Sequence, residues 1–256
     1  MSNNPESLTI LPAEQLAQVE QNFAAACREA KELQLANNAV AAFRAAALIV
    51  NLQNILTDQV MNAVFMPLMN SSLGFLTDHD PNKTDKKTGK PQTPYSVGIV
   101  RTALIDAIGK GLLPTGNQFN IIAERMYPTK EGFTALLFDI KCKYLITFGA
   151  PKLSEQTADV ECTINYEWKG EKKSFKYIAN VKKDGYSSLD QIKGKAERKA
   201  KKVLYEYLTG IDFGDADENS SEPADEQPQP EDRTQAVEEQ KQQMRGNTES
   251  SAPKLW

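Results

Sequence analysis

An α+β fold is expected from three features of the sequence. These are a long Ala-rich stretch near the start, short β-prone runs in the middle with one strictly alternating strand, and an amphipathic lysine-rich segment before an acidic end. The expected architecture is a small antiparallel sheet packed by helices, with a helical N-terminus and a disordered acidic C-terminal tail. By composition the chain divides into residues 1–56, 57–211 and 212–256.

Residues 13–56 contain no Gly or Pro and are rich in Ala, Gln, Leu and Glu, a strongly helix-favouring composition. One or two helices are expected, with Asn37 and Asn38 as the break. Their apolar positions (Leu16, Val19, Phe23, Cys27 and Ala30, then Val40, Phe43, Ala47 and Leu48) recur at intervals of three and four, so each helix presents one packing stripe. Part of that surface is spare for a neighbouring copy, which makes 1–56 the expected oligomerisation region. A third helix from Asp58 to about Leu68 must kink or end at Pro67. Thr77 to Thr93 is polar and turn-forming without periodicity, and reads as an exposed mobile loop.

Ser96 stands as an N-cap before the amphipathic Val97, Val100, Leu104 and Ile108, and Gly109, Gly111 and Pro114 end that helix. Phe119–Met126, Phe133–Ile140 and Lys143–Phe148 are short β-prone runs joined by turn-formers such as Pro128-Thr129-Lys130-Glu131-Gly132. Val160–Trp168 alternates as a strand with one buried face, and a Lys169-Gly170-Glu171-Lys172 turn joins it to a strand over Ser174–Val181. A last helix, Leu189–Leu208, gathers Leu189, Ile192, Ala196, Ala200, Val203, Leu204 and Tyr207 on one face and leaves its bases outward.

Composition narrows the chemistry. Three cysteines and one histidine are too few for a Cys/His zinc site, and the odd cysteine count argues against a disulfide framework. A reduced cytoplasmic interior is the simplest setting. The longest apolar run, Ala39–Val50, is broken by Arg44 and is shorter than the roughly 20 residues of a membrane helix, so no membrane partner is expected. The first residues have neither the basic start nor the apolar stretch of a signal peptide.

His79, alone in a charged loop, reads as a solvated loop residue, and no Ser-His or Cys-His arrangement is available. Asp78, Asp80 and Asp85 lie close in sequence, yet their spacing lacks the glycine and terminal Glu of a calcium loop, so loop solubility is the better reading. Gly109-Lys110-Gly111 follows a helix and lacks the Gly-Lys-Ser/Thr ending of a phosphate loop. No enzyme activity, cofactor or metal is expected.

Charge carries the strongest signal. From Asp212 to Trp256 twelve acids face four bases, a net −8, while Lys169–Lys202 holds twelve bases and four acids, a net +8. A basic body followed by an acidic tail fits a polyanion-binding protein whose tail competes for the same face. Trp168, Phe175, Tyr177 and Tyr186 are interleaved with the bases and offer rings for stacking, although core packing is the better reading for Tyr166 and Trp168.

Three segments, in order, resemble the RecT-type single-strand annealing proteins of phages and prophages, a superfamily that includes Redβ-like and Erf-like members. Gly111-Leu-Leu-Pro-Thr-Gly-Asn117 followed by Ile121-Ile-Ala-Glu-Arg-Met-Tyr-Pro128 is similar to the family's helix end, turn and strand. Phe138–Ile146 is similar to its Ile-Gly-Tyr-Lys-Gly-Leu-Ile core, keeping Ile140, Lys143, Leu145 and Ile146 and departing at Lys141 and Tyr144, where glycines would stand. Lys195–Ala200 leading to Leu208–Asp212 resembles the closing helix.

The resemblance covers about residues 55–212 and implies a protein that binds single-stranded DNA in a basic groove, pairs complementary strands without ATP, and assembles into rings or helical filaments for homologous recombination and repair. A partner exonuclease or a host single-strand-binding protein is a further implied partner. Residues 57–211 are then the DNA-binding core. Annealing requires phosphate neutralisation with base edges left free. Lys143, Lys193, Arg198, Lys199 and Lys202 are the expected phosphate contacts, with Lys141 and Arg125 behind them. Two alternatives stand beside this: a single-strand-binding protein that does not anneal, and a structural or adaptor protein that assembles through its Ala-rich helices.

Overall fold

The computed structural model describes residues 11–34, 39–84, 88–183 and 187–214. They form an α+β fold in which helices pack on two small sheets.

Helices α1 (Ala13–Gln34) and α2 (Ala39–Ile55) lie against each other, and the expected break at Asn37-Asn38 falls between them, outside the described residues. They bury Ala26, Ala30, Leu48, Leu52 and Ile55 around Ile108. Burial of this kind stabilises by roughly 25 cal/mol per Å² of apolar surface. Both helices are also tied to the rest of the chain. Phe23 packs on Phe65 with centroids 5.1 Å apart, Lys31 pairs with Asp139 at 2.5 Å, and the Tyr205 hydroxyl donates to Gln34 Oε1 at 2.8 Å.

Thr57 caps α3 (Asp58–Val60), accepting a hydrogen bond from the Val60 amide. The helical path then widens into a π turn over Met61–Phe65 and tightens into a 3₁₀ turn over Met66–Leu68, where Pro67, lacking an N–H, ends it as expected.

The smaller sheet contains β1 (Leu76–Thr77), β2 (Phe119–Ile122) and β3 (Arg125–Pro128), with β1 parallel and β3 antiparallel to β2; α4 (Val97–Gly109), capped by Ser96, packs against it. The run expected as one strand over Phe119–Met126 is therefore a hairpin. Ala123 and Glu124 turn it with φ of 48° and 65°, a left-handed pair that costs energy without glycine. The cost is offset by fixed partners: Asp78 Oδ2 accepts from the Ala123 amide at 3.0 Å and the Tyr95 hydroxyl accepts from the Glu124 amide at 3.1 Å.

These contacts also revise the reading of Thr77–Thr93 as a mobile loop. Thr77 and Tyr95 are buried, the Tyr95 hydroxyl donates to Asp78 Oδ1 at 2.7 Å, His79 stacks on Tyr95 at 4.5 Å, and Gln92 Oε1 accepts from the Asp80 amide at 2.8 Å. Polar composition concealed a set of specific hydrogen bonds. Asp85 lies outside the described residues.

The β-prone run Phe133–Ile140 is in fact a helix, α5 (Lys130–Asp139). Thr129, read as part of a turn, is its N-cap, accepting from the Gly132 amide at 3.1 Å, and Phe133, Leu136 and Leu137 bury one helical face. Gly132 is required there, because a Cβ would stand 2.0 Å from the Gln118 carbonyl oxygen.

The larger sheet is built on β6 (Thr157–Trp168). One edge of β6 pairs along its whole length with β7 (Glu171–Lys182), and the other pairs with β4 (Lys143–Phe148) and the short β5 (Lys152–Leu153). The alternation read from the sequence holds: Ala158, Val160, Cys162, Ile164 and Tyr166 face the core. Helix α6 (Leu189–Thr209) crosses that inner face beside α5, opened by a Ser188–Gln191 capping box and closed by Gly210 at φ 74°. Phe213 packs on Phe133 and Tyr205, so the core reaches beyond the expected limit at 211. The expected disordered tail lies, from residue 215, outside the described residues. Among the described residues no single helix is long and apolar enough to cross a membrane.

Candidate nucleic-acid interface

Among the described residues no helix packs on the outer face of the larger sheet, and its alternating positions are mostly polar. Register sets its rows: Lys143, Glu167 and Lys172 stand side by side, followed by Leu145, Asn165 and Ser174. A shallow open depression of about 540 Å³ is lined by these two rows together with Tyr144, Tyr166 and Lys173. Glu167 reaches Lys172 only at 3.9 Å, so the lysines keep their charge facing solvent.

The turn joining β6 to β7 is two residues long, with Lys169 at φ 50° and Gly170 at φ 82°. Trp168 anchors this end of the sheet, donating from Nε1 to the Ile140 carbonyl at 3.1 Å, and the Lys169 ammonium lies 4.0 Å from its ring centroid. The next residue after Ile140, Lys141, takes φ 58°, a conformation glycine adopts without strain. One end of the sheet therefore gathers Lys141, Lys143, Lys169, Lys172 and Lys173, all exposed, against Glu167 and Glu171. Glu171 pairs with Lys173 at 2.6 Å; that hydrogen bond holds the carboxyl below its ordinary range and the ammonium above its own. Both groups are open to water, so the pair contributes little to stability.

On the inner face of the same end, Tyr144, Tyr166 and Lys173 form a row. Burial, then a hydrogen bond with the Tyr207 hydroxyl, pushes the Tyr166 phenol up from its ordinary pKa.

The lysine-rich helix differs from its expected role. Its bases do not all point outward: Lys201 is buried, pairs with Glu197 at 2.5 Å, donates to Thr134 Oγ1 at 2.9 Å and lies 5.9 Å from the Tyr144 ring centroid. Lys202 is 12% exposed, donates to the Gly214 carbonyl and lies near Glu206. The bases of α6 are therefore partly structural. Arg198 and Lys199 are half-buried, and Lys193 is exposed near the start of the helix. Fourteen residues separate Lys193 from Tyr207, about 21 Å along the axis. Conversely, Leu189 and Tyr207, assigned to the buried stripe, are 56% and 65% exposed. Arg125 is exposed at the start of β3, in the other sheet.

Of the seven expected contacts, then, the structure brings Lys141 and Lys143 together at the hairpin end, leaves Lys193, Arg198, Lys199 and Lys202 along α6, and sets Arg125 in the other sheet. Lys169, Lys172 and Lys173 were within the basic window but not singled out. The two-residue turn and the strand alternation are the signals that place them.

Comparison with protein-family models, curated proteins and solved structures returned no match for this chain. The likeness to annealing proteins accordingly rests on the residues quoted above alone.

Other chemistry is sparse. Among the described residues no three His, Cys, Asp or Glu side chains group as a metal site. Burial raises the Cys27 and Cys142 thiols to about 11 and pushes Cys162 up as well, so all three stay protonated and weakly nucleophilic at neutral pH.

Proposed function

We propose that this chain binds single-stranded DNA and anneals complementary strands without nucleotide hydrolysis, as a homo-oligomer acting in homologous recombination or repair of phage or prophage DNA in a reduced, cytoplasmic compartment. The observation that carries the proposal is the lysine cluster at the hairpin end of the sheet, beside a shallow open depression. Point charges on a rigid strand pair neutralise phosphates of any sequence and leave the pairing edges unread. Both separated strands and the annealed duplex are the partners this implies, with a partner exonuclease or host single-strand-binding protein as a further one.

Self-association is supported on α2, whose outer side leaves Val40, Phe43, Ile49 and Val50 exposed, Phe43 by 82%. Removing residues 1–35 is no clean test of assembly, because α1 carries Ala26 and Ala30 in the core. Replacing Phe43 and Val50 with Ser is. The double variant is expected to sediment as smaller species with an unchanged far-UV spectrum; unchanged particles would remove α2 from the assembly.

The deciding experiment mixes two complementary labelled oligonucleotides with the full chain and no ATP. An annealing protein accelerates pairing, a purely protective single-strand-binding protein slows it, and an adaptor leaves the rate unchanged. Either of the last two results overturns the proposal.

A further inference from the structure

Tyr207, near the end of α6, is 65% exposed. Its ring is packed on the sheet side, 5.5 Å from the Phe175 centroid and 6.2 Å from that of Tyr166. Packing on one side with this much exposure leaves aromatic surface turned toward solvent.

The surroundings indicate what it would bind. Lys173 lies opposite Tyr166 in the register and so projects on the same inner face. A flat apolar ring beside an ammonium group matches a unit that is itself a flat ring on an anionic backbone.

We propose that Tyr207, backed by Phe175 and Tyr166 and beside Lys173, is a stacking platform for an unpaired base of single-stranded DNA. This rests on the DNA-binding reading above and extends it from phosphates to bases. Stacking engages the face of a base and leaves its pairing edge open, so a base held this way remains available to a complementary strand. A duplex, whose base faces are covered by their neighbours, has no such face to offer.

The test compares two ligands of equal length and charge: an oligothymidylate and an abasic deoxyribose-phosphate chain, each titrated by fluorescence anisotropy against the full protein. The wild type is expected to prefer the oligothymidylate by about fivefold or more. Tyr207→Ala should abolish most of that preference while leaving abasic affinity within about twofold, and Tyr207→Phe, which keeps the ring, should retain it. A thermal melt of each variant checks that the fold is kept, as expected for an exposed position. Equal wild-type affinity for both ligands, or a preference that survives in Tyr207→Ala, overturns the platform while leaving DNA binding in place. Binding of neither ligand overturns the DNA-binding reading, and the platform with it.

Discussion

Two groups of lysines of similar density in the sequence behave differently in the fold. On α6, Lys201 and Lys202 turn into the structure, where Glu197, Glu206, Thr134 and the Gly214 carbonyl receive them. At the β6–β7 hairpin, Lys169 and Lys172 stay in water, along with Lys143 on the neighbouring strand. The helix offers an acid four residues away and two packed layers beneath it. A strand sends alternate residues to the side that nothing covers. Counting bases along a chain therefore measures charge, while availability of that charge depends on the element that carries it.

Removal of a helix lysine should separate the two groups most strongly. Lys201→Ala strips the partners from Glu197 and from Thr134 Oγ1 and leaves a gap beside Tyr144, for an expected loss of about 2 kcal/mol, roughly 30-fold in the folding equilibrium. Urea denaturation measures it, and a loss under about 0.5 kcal/mol would show that this lysine is merely surface charge. Lys202→Ala should cost less, about 1 kcal/mol, since its partner Gly214 lies at the edge of the core.

Alkaline pH provides a test that leaves the lysines intact. Cys27 and Cys142 are raised to about 11 and Tyr95 and Tyr205 to about 12, burial being the first cause in each. The unfolded chain deprotonates these groups first, from about pH 8.5 for the thiols and about 10 for the phenols. Their effect is thus neutral below about pH 8.5, and stability should fall progressively between about pH 9 and 12. Denaturation midpoints across that range should decline together with the appearance of reactive thiol; thiols that react freely at about pH 8 in the folded protein would contradict the burial. At the small end of the scale, Lys143→Ala with Lys172→Ala should change stability by less than about 0.5 kcal/mol, because both side chains lie in water.

Much of this organisation was legible in the sequence, and the exceptions have physical causes. Strict alternation from Val160 to Tyr166 and the Ser96 cap mark their elements correctly, since each signal is local. Phe133–Ile140 was misread because an apolar run of eight fits a strand or a helix, and the arbiter, the Thr129 cap, looked like part of a turn. The burial of Lys201 depends on Thr134, 67 positions away, which no helical periodicity contains. Exposure of Tyr207 is likewise tertiary: its row continues the buried stripe, but its ring meets the sheet only at Phe175 and Tyr166 and is otherwise left to solvent. Lys141 and Lys143 were found through the family resemblance, whereas Lys169, Lys172 and Lys173 needed the register of the hairpin.

The central claim is that the hairpin end, and not the exposed start of α6, meets the phosphates. Its most direct test is the salt dependence of single-stranded DNA binding for the wild type, for Lys143→Ala with Lys172→Ala, and for Lys193→Ala with Lys195→Ala. Each phosphate of a single strand that the protein ceases to neutralise lowers the slope of log K against log salt by about 0.7, so the hairpin pair should lower it by about 1.4 and weaken binding for every sequence. The α6 pair should lower it by less than about 0.5. A helix pair that reduces the slope as much as the hairpin pair, or more, would contradict the account and return the DNA to the helix.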